Sequence, residues 1–298
     1  MIKIENNLKT NINWFPGHMA KTKKEIKESL KNIDLVTEIL DSRIPFSSSN
    51  PEIDEIIGEK PRIVVLNKSD LSDENLNKKW INFYKTQNIN CICFSNKDNL
   101  GKSIFTQRVF EIMKPKIDSW RSKGIINRAI RVMVIGIPNV GKSSFINKLC
   151  KNSKAKVENR PGVTRRNQWF SVDKNIQILD TPGVLWPKFD TSEVAHNLAF
   201  TGAIKDEILD IESIVPYFID KIKNSYISNL TGRFKIDIES IADLSSNEIL
   251  EKIARKRGML VSGGEVDFLR ASNMILEEFR NGKLGKITLE NPKIQGEL

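Results

Sequence analysis

The sequence predicts an α/β fold in which a mostly parallel sheet flanked by helices is followed by a smaller all-helical part. Three observations point there. Four short apolar runs in the first half are separated by segments long enough for helical crossovers, which parallel strands require. A glycine-bounded loop, GIPNVGKS at 136 to 143, stands between one such run and a helix-compatible segment. Beyond about residue 190 the strand signals fade and helical periodicity takes over.

In chain order, residues 19 to 33 fit an amphipathic helix, with Ile26, Leu30 and Ile33 on one face and lysines elsewhere. LVTEIL at 35 to 40, IVVLN at 63 to 67, INCICFS at 89 to 95 and RVMVIG at 131 to 136 read as the parallel strands. QWFSV at 168 to 172 and IQILD at 176 to 180 are joined only by DKN, which predicts an antiparallel hairpin. Further on, Ser245 and Glu248 have capping-box spacing at the start of a helix that Gly258 stops. Phe268, Ala271, Ile275 and Phe279 line up on another helix over 265 to 280. The expected division is one domain at 1 to 195 and a helical domain at 196 to 298.

The 298 residues are 39% hydrophobic and 28% charged, ordinary for a globular chain and unlike a disordered or membrane-spanning one. The longest apolar stretch, VMVIGIP, is too short for a bilayer, and MIKIENNLKTN has no leader-like apolar core, so a cytoplasmic location is expected. Cys91, Cys93 and Cys150 lack CxxC and Cys/His spacing, which argues against a disulfide framework or a zinc site. The net charge of +10 is uneven: residues 1 to 189 hold 33 basic and 19 acidic side chains, while residues 190 to 298 hold 14 and 18. From Lys142 to Arg166 alone there are eight basic residues against one acid, Glu158, with Trp169 close behind. A basic first part with an aromatic neighbour suggests a polyanionic partner, nucleic acid foremost; lysines that merely solvate helix faces are the bland account.

GIPNVGKS matches GxxxxGK[ST] in the strand–loop–helix context that the motif needs. Backbone N–H groups at Asn139, Val140, Gly141, Lys142, Ser143 and Ser144 can turn inward around phosphate oxygens, helped by the following helix N-terminus. Lys142 is expected to reach the β and γ phosphates and Ser143 to hold Mg²⁺. NKSD, formed by Asn67, Lys68, Ser69 and Asp70, ends a strand. Asp70 can accept from guanine N1–H and the 2-amino group together, Asn67 can meet the other base edge, and the Lys68 stem can cover the ring. Adenine offers no such donor pair, so discrimination of about 10⁴-fold is within reach. At the next strand end, FSN offers Ser95 and Asn96 to the base. In DTPG, Asp180 is placed to hold Mg²⁺ through water and the Gly183 N–H to meet the γ-phosphate. Thr164, in PGVT, is a candidate Mg²⁺ ligand from a switch segment; a plain Pro-Gly turn is the alternative.

In the order NKSD, FSN, GIPNVGKS, PGVT, DTPG the chain resembles the circularly permuted GTPases, whose guanine motifs precede the phosphate loop. The resemblance spans essentially all of the sequence. With NINWFPGHMAK at 11 to 21 and DSRIP at 41 to 45, it is similar to those members that act in late assembly of the large ribosomal subunit. The resemblance implies a permuted P-loop GTPase domain followed by a helical domain, and GTP hydrolysis stimulated by the subunit. It also implies GTP or GDP with Mg²⁺ and K⁺ as cofactors, and a precursor of the large subunit, rRNA and proteins, as partner. A monomer that binds no membrane is expected.

Catalysis needs its own source. Ras-like enzymes place a water-orienting glutamine after DxxG; here Val184 and Leu185 follow, and neither can hold water. The resemblance offers Asn139, which matches the asparagine that ligates K⁺ in related GTPases, and His18, to which the family's motif points for positioning water or accepting its proton. Beside Trp14 and Phe15 a packing role for His18 stays open. Lys142, Thr164 and Gly183 complete the expected catalytic set. Two other readings stand beside this one: a GTP-dependent RNA-binding module with little turnover, and a GTPase acting on tRNA.

Overall fold

The structure, a computed structural model, describes residues 18–150, 168–183 and 191–292, with side chains from residue 24 onward. Among these residues β1 (Leu35–Asp41), β2 (Arg62–Asn67), β3 (Asn90–Cys93), β4 (Ile130–Ile135), β5 (Gln168–Ser171) and β6 (Ile176–Asp180) form one sheet in the order β3-β2-β1-β4-β6-β5. β1 pairs in parallel with β2 and β4, β2 with β3, and β4 with β6, whereas β5 runs antiparallel on β6 as the short DKN connection requires. The chain lays strands outward from β1 to β3 and then returns to place β4 on the other side of β1. That reversal falls between β1 and β4, and the carboxyl ends of strands at such a point are where open α/β sheets hold their ligands. DSRIP, NKSD, FSN, GIPNVGKS and DTPG follow β1, β2, β3, β4 and β6 respectively and therefore lie along this one edge.

Alternation along the strands loads both sheet faces. Val36, Met133, Ile135 and Leu179 meet Ile26 and Leu30 of α1 (His18–Ser29) and its continuation, together with Ile53, Ile56 and Ile57 around α3 (Ile53–Ile57). α1 is shorter than the sequence predicts: it ends at Ser29, whose Oγ donates back to the Glu25 carbonyl at 2.8 Å, and a 3₁₀ turn carries the chain to Asn32. The short α2 (Pro45–Ser48) follows DSR directly. α4 (Glu74–Thr86), capped by the Asp73 carboxylate, sets Trp80 and Tyr84 on Leu40, Val64 and Leu66. The opposite face packs Ile39, Val65, Val132 and Ile178 against Phe105, Val109 and Met113 of α5 (Gly101–Ser122) and Phe145 and Leu149 of α6 (Lys142–Leu149).

After β6 the described elements are helical: α7 (Ser192–Phe200), α8 (Ile211–Lys223), α9 (Ile227–Phe234), α10 (Ser246–Lys256) and α11 (Phe268–Arg280). The capping box at Ser245 and Glu248 is formed at the start of α10. α11 begins later than its apolar pattern suggests, because Val266 pairs with Leu260 and Asp267 then caps the helix through the Arg270 N–H. The division expected at 195/196 falls inside α7, and the apolar core runs without a break from the sheet into α8 and α11 through Leu198, Phe218 and Phe279. No described helix is long and apolar enough to cross a membrane.

Beyond α11 the chain returns as a strap across the sheet edge. The Ile287 N–H donates to Leu71 O at 3.0 Å, the Leu289 N–H to Arg43 O at 2.8 Å, and Thr288 Oγ1 accepts from the Asp73 N–H at 3.0 Å. The Glu290 carboxylate accepts from the Phe46 N–H at 2.7 Å and from Asn197 Nδ2 at 2.8 Å. Burial raises the Glu290 pKa, against the hydrogen bonds from Ser47 that favour its charged form.

Candidate functional site

The loop between β4 and α6 is bent by conformation rather than by its side chains. Asn139 and Gly141 have φ of 61° and 91°, the left-handed region that glycine tolerates best. A Cβ on Gly141 lands 2.4 Å from Asn67 Nδ2, so both the backbone and its neighbour demand glycine there. Lys142 is almost fully buried, and its ammonium donates to the carbonyls of Gly136 and Ile137 at 2.9 and 2.8 Å. Burial lowers the Lys142 pKa to about 8 against the pull of the nearby Asp180 carboxylate. Ser143 and Ser144 open the first turn of α6 and are half-buried.

The NKSD loop touches the phosphate loop directly. Asn67 is fully buried, and its Nδ2 donates to Val140 O at 2.7 Å. One hydrogen of that amide nitrogen therefore braces the phosphate loop. Lys68, at φ 59°, sends its ammonium to Asn139 O at 2.8 Å and to Asp41 Oδ2 at 2.9 Å. The Ser69 N–H donates to Phe94 O, which draws the FSN turn alongside. Asp70 accepts from Ser95 Oγ at 2.8 Å on one oxygen and pairs with Lys97 Nζ at 2.9 Å on the other. Burial alone raises the Asp70 carboxyl pKa, but the hydrogen bonds from Lys97 and Ser95 outweigh it and hold the group ionised below the usual carboxylate value. An ionised acceptor beside an exposed Asn96 is the form that can receive two base donors.

DTPG packs on the same loop. Thr181 Oγ1 donates to Val134 O at 2.8 Å, Asp180 is buried at the end of β6, and a Cβ on Gly183 lands 2.8 Å from Pro138 N and 3.0 Å from Lys142 Nζ. Any larger residue at 183 forces the two loops apart. Asn139 Nδ2 reaches out of the phosphate loop to Gly202 O at 3.2 Å, just beyond α7.

The structure thus brings Asn67, Lys68, Ser69, Asp70, Ser95, Asn139, Val140, Gly141, Lys142, Asp180 and Gly183 to one edge. Thr164, Val184, Leu185 and the whole basic run from Lys151 to Arg166 lie outside the described residues. His18 opens α1, and its side chain lies outside them too. Asp41 and Arg43 were marked in the sequence only as part of DSRIP; both are buried, with Arg43 Nε and Nη2 donating to Asp41 at 2.9 and 2.7 Å. An acid and a base two residues apart after an apolar strand was the available signal.

Residues 131–253 match the family described as 50S ribosome-binding GTPase. The chain is 45% identical over 286 residues to ribosome biogenesis GTPase A of Bacillus cereus, covering 96% of each chain. It is 43% identical to ribosome biogenesis GTPase A of Priestia megaterium, covering 94% of this chain and 97% of that one. Among solved structures it is similar to the GNP-bound YlqF from T. maritima, with TM-score 0.67 and 30% identity over 92% of this chain and 99% of that one. A rotated set of guanine-nucleotide motifs gathered at one sheet edge, with identity of this extent along nearly the full length, makes the chain a GTPase of the ribosome biogenesis GTPase A family.

Proposed function

We propose that the GTP-bound protein docks on an immature large ribosomal subunit late in its assembly, and that hydrolysis loosens the switch segments and releases it. The observation that carries this reading is the direct clasp between guanine loop and phosphate loop, Asn67 Nδ2 to Val140 O and Lys68 Nζ to Asn139 O, in a chain whose relatives are named for ribosome biogenesis. Asp70 reads the base, Asn139 to Ser144 cradle the phosphates, and Lys142 offsets their charge. Mg²⁺ fits the site on the hard oxygen donors that the chain offers at Ser143 and Asp180, with Thr164 as a further ligand. When bound, the ion neutralises charge on the β and γ phosphates. K⁺ at Asn139 and the imidazole of His18 are the proposed sources of activation. The reading treats 1–195 as the nucleotide-dependent part and 196–298 as the part that helps contact RNA, in a cytoplasmic monomer.

Sucrose-gradient sedimentation of the protein with purified large-subunit precursors, in GTP, GDP and a non-hydrolysable analogue, tests the reading. Co-migration in the analogue and release in GDP support it. A protein that stays at the top in every nucleotide state, or that follows tRNA instead, overturns it. Turnover with and without subunits, in K⁺ and in Na⁺, separates a stimulated enzyme from a slow binding module.

A further inference from the structure

β1 is the central strand at the point where the sheet reverses, and its last residue, Asp41, is 1% exposed. Its carboxylate is saturated by two residues, which supply four hydrogen bonds. Oδ1 accepts from Arg43 N–H and Nε at 3.1 and 2.9 Å; Oδ2 accepts from Arg43 Nη2 at 2.7 Å and from Lys68 Nζ at 2.9 Å. Arg43 is itself fixed: its guanidinium stacks 4.8 Å from the Phe279 ring centroid, and Nη1 points at the Phe279 and Arg280 carbonyls that end α11, at 3.4 and 3.5 Å. On the other side Lys68 continues to Asn139 O, Asn139 Nδ2 to Gly202 O, and Arg280 to the Phe200 and Ala199 carbonyls at 2.9 and 2.8 Å. The contacts close into a ring: β1, guanine loop, phosphate loop, end of α7, end of α11, and back to β1.

We infer that Asp41 and Arg43 are positioning residues of the nucleotide site: Asp41 holds the Lys68 ammonium on the phosphate loop, and Arg43 holds Asp41. Lysine has four rotatable side-chain bonds and one compact charge, so its placement depends on what receives it. Lys68 has two receivers here, and only the Asp41 carboxylate carries charge. Burial pushes the Asp41 carboxyl pKa up, but Arg43 and Lys68 more than reverse this and keep it ionised well below the usual carboxylate range. The planar, doubly donating guanidinium of Arg43 sets the carboxylate plane, which a lysine cannot do. Nucleotide affinity then rests on two residues that need not touch the nucleotide.

A double-mutant cycle on the full chain, read as the Kd for GDP by fluorescence titration, tests this. D41N and K68M are each expected to raise Kd at least about tenfold, the loss of a charge-assisted hydrogen bond. The D41N/K68M double variant is expected to stay within about twofold of K68M, because Asp41 acts through Lys68. A folded D41N that binds GDP like the parent, or a double variant whose loss is the product of the two single losses, overturns the inference. Should D41N show no cooperative melting transition, R43K takes its place in the cycle, since it keeps the charge beside Asp41. A Kd rise of about threefold or more that vanishes in the K68M background supports the inference, and parent-like or multiplicative binding overturns it.

Discussion

In the proposed reading, discrimination between bases rests on the Asp70 carboxylate, which Ser95 and Lys97 orient. Replacing it by asparagine, Asp70→Asn, presents a donor where two acceptor bonds are needed, and GTP affinity should fall about 10²-fold or more while the melting temperature changes little. Competition binding with GTP and ATP checks both quantities. Lys142 supplies a pH dependence. Its pKa is lowered to about 8 by burial, and phosphate oxygens favour the charged form, so binding takes up a proton above that pH. GTP affinity is expected to hold steady below pH 7 and to weaken between pH 8 and 9, a step that Lys142→Met removes; calorimetry across that range reads it. The identities of these residues were legible because their motifs are contiguous. Their partners within the chain were less so: nothing in the sequence announces the bond from the Asn67 amide nitrogen to Val140 O, 73 positions away. Arg43 and the carbonyl it faces are 237 positions apart, and no local spacing encodes such a meeting.

Elements were legible wherever period and punctuation agreed. All six strands were marked by apolar runs with turn residues at their ends, and the antiparallel β5–β6 pair by its short connection. Boundaries moved where a side chain or a bridge intervened, as at Ser29 and at the Leu260–Val266 pair. α10 is the clearest case of sequence setting an end: Ser245 Oγ accepts from the Glu248 N–H, and the Glu248 carboxylate accepts from the Ser245 N–H at 2.8 Å. Ser245→Ala is expected to cost about 1 kcal/mol, seen as a lower urea midpoint with unchanged nucleotide binding.

At the scale of the molecule, charge and connectivity are organised differently. The basic excess lies before residue 190, so association with an rRNA-containing particle should release counterions. If six side chains meet phosphates, affinity should drop about 10³-fold between 50 and 200 mM salt, measured by pelleting at fixed nucleotide. A flat profile would assign recognition to protein rather than RNA. The division expected at 195/196 rests on the change of pattern and of charge near residue 190, and α7 and a common apolar core run through that point. Connectivity also sets an order in time. Asp73 meets its brace, Thr288, across 215 positions, so during synthesis the guanine loop emerges early and its fastening is made last. A growing polypeptide is therefore expected to grip nucleotide weakly until the strap is translated.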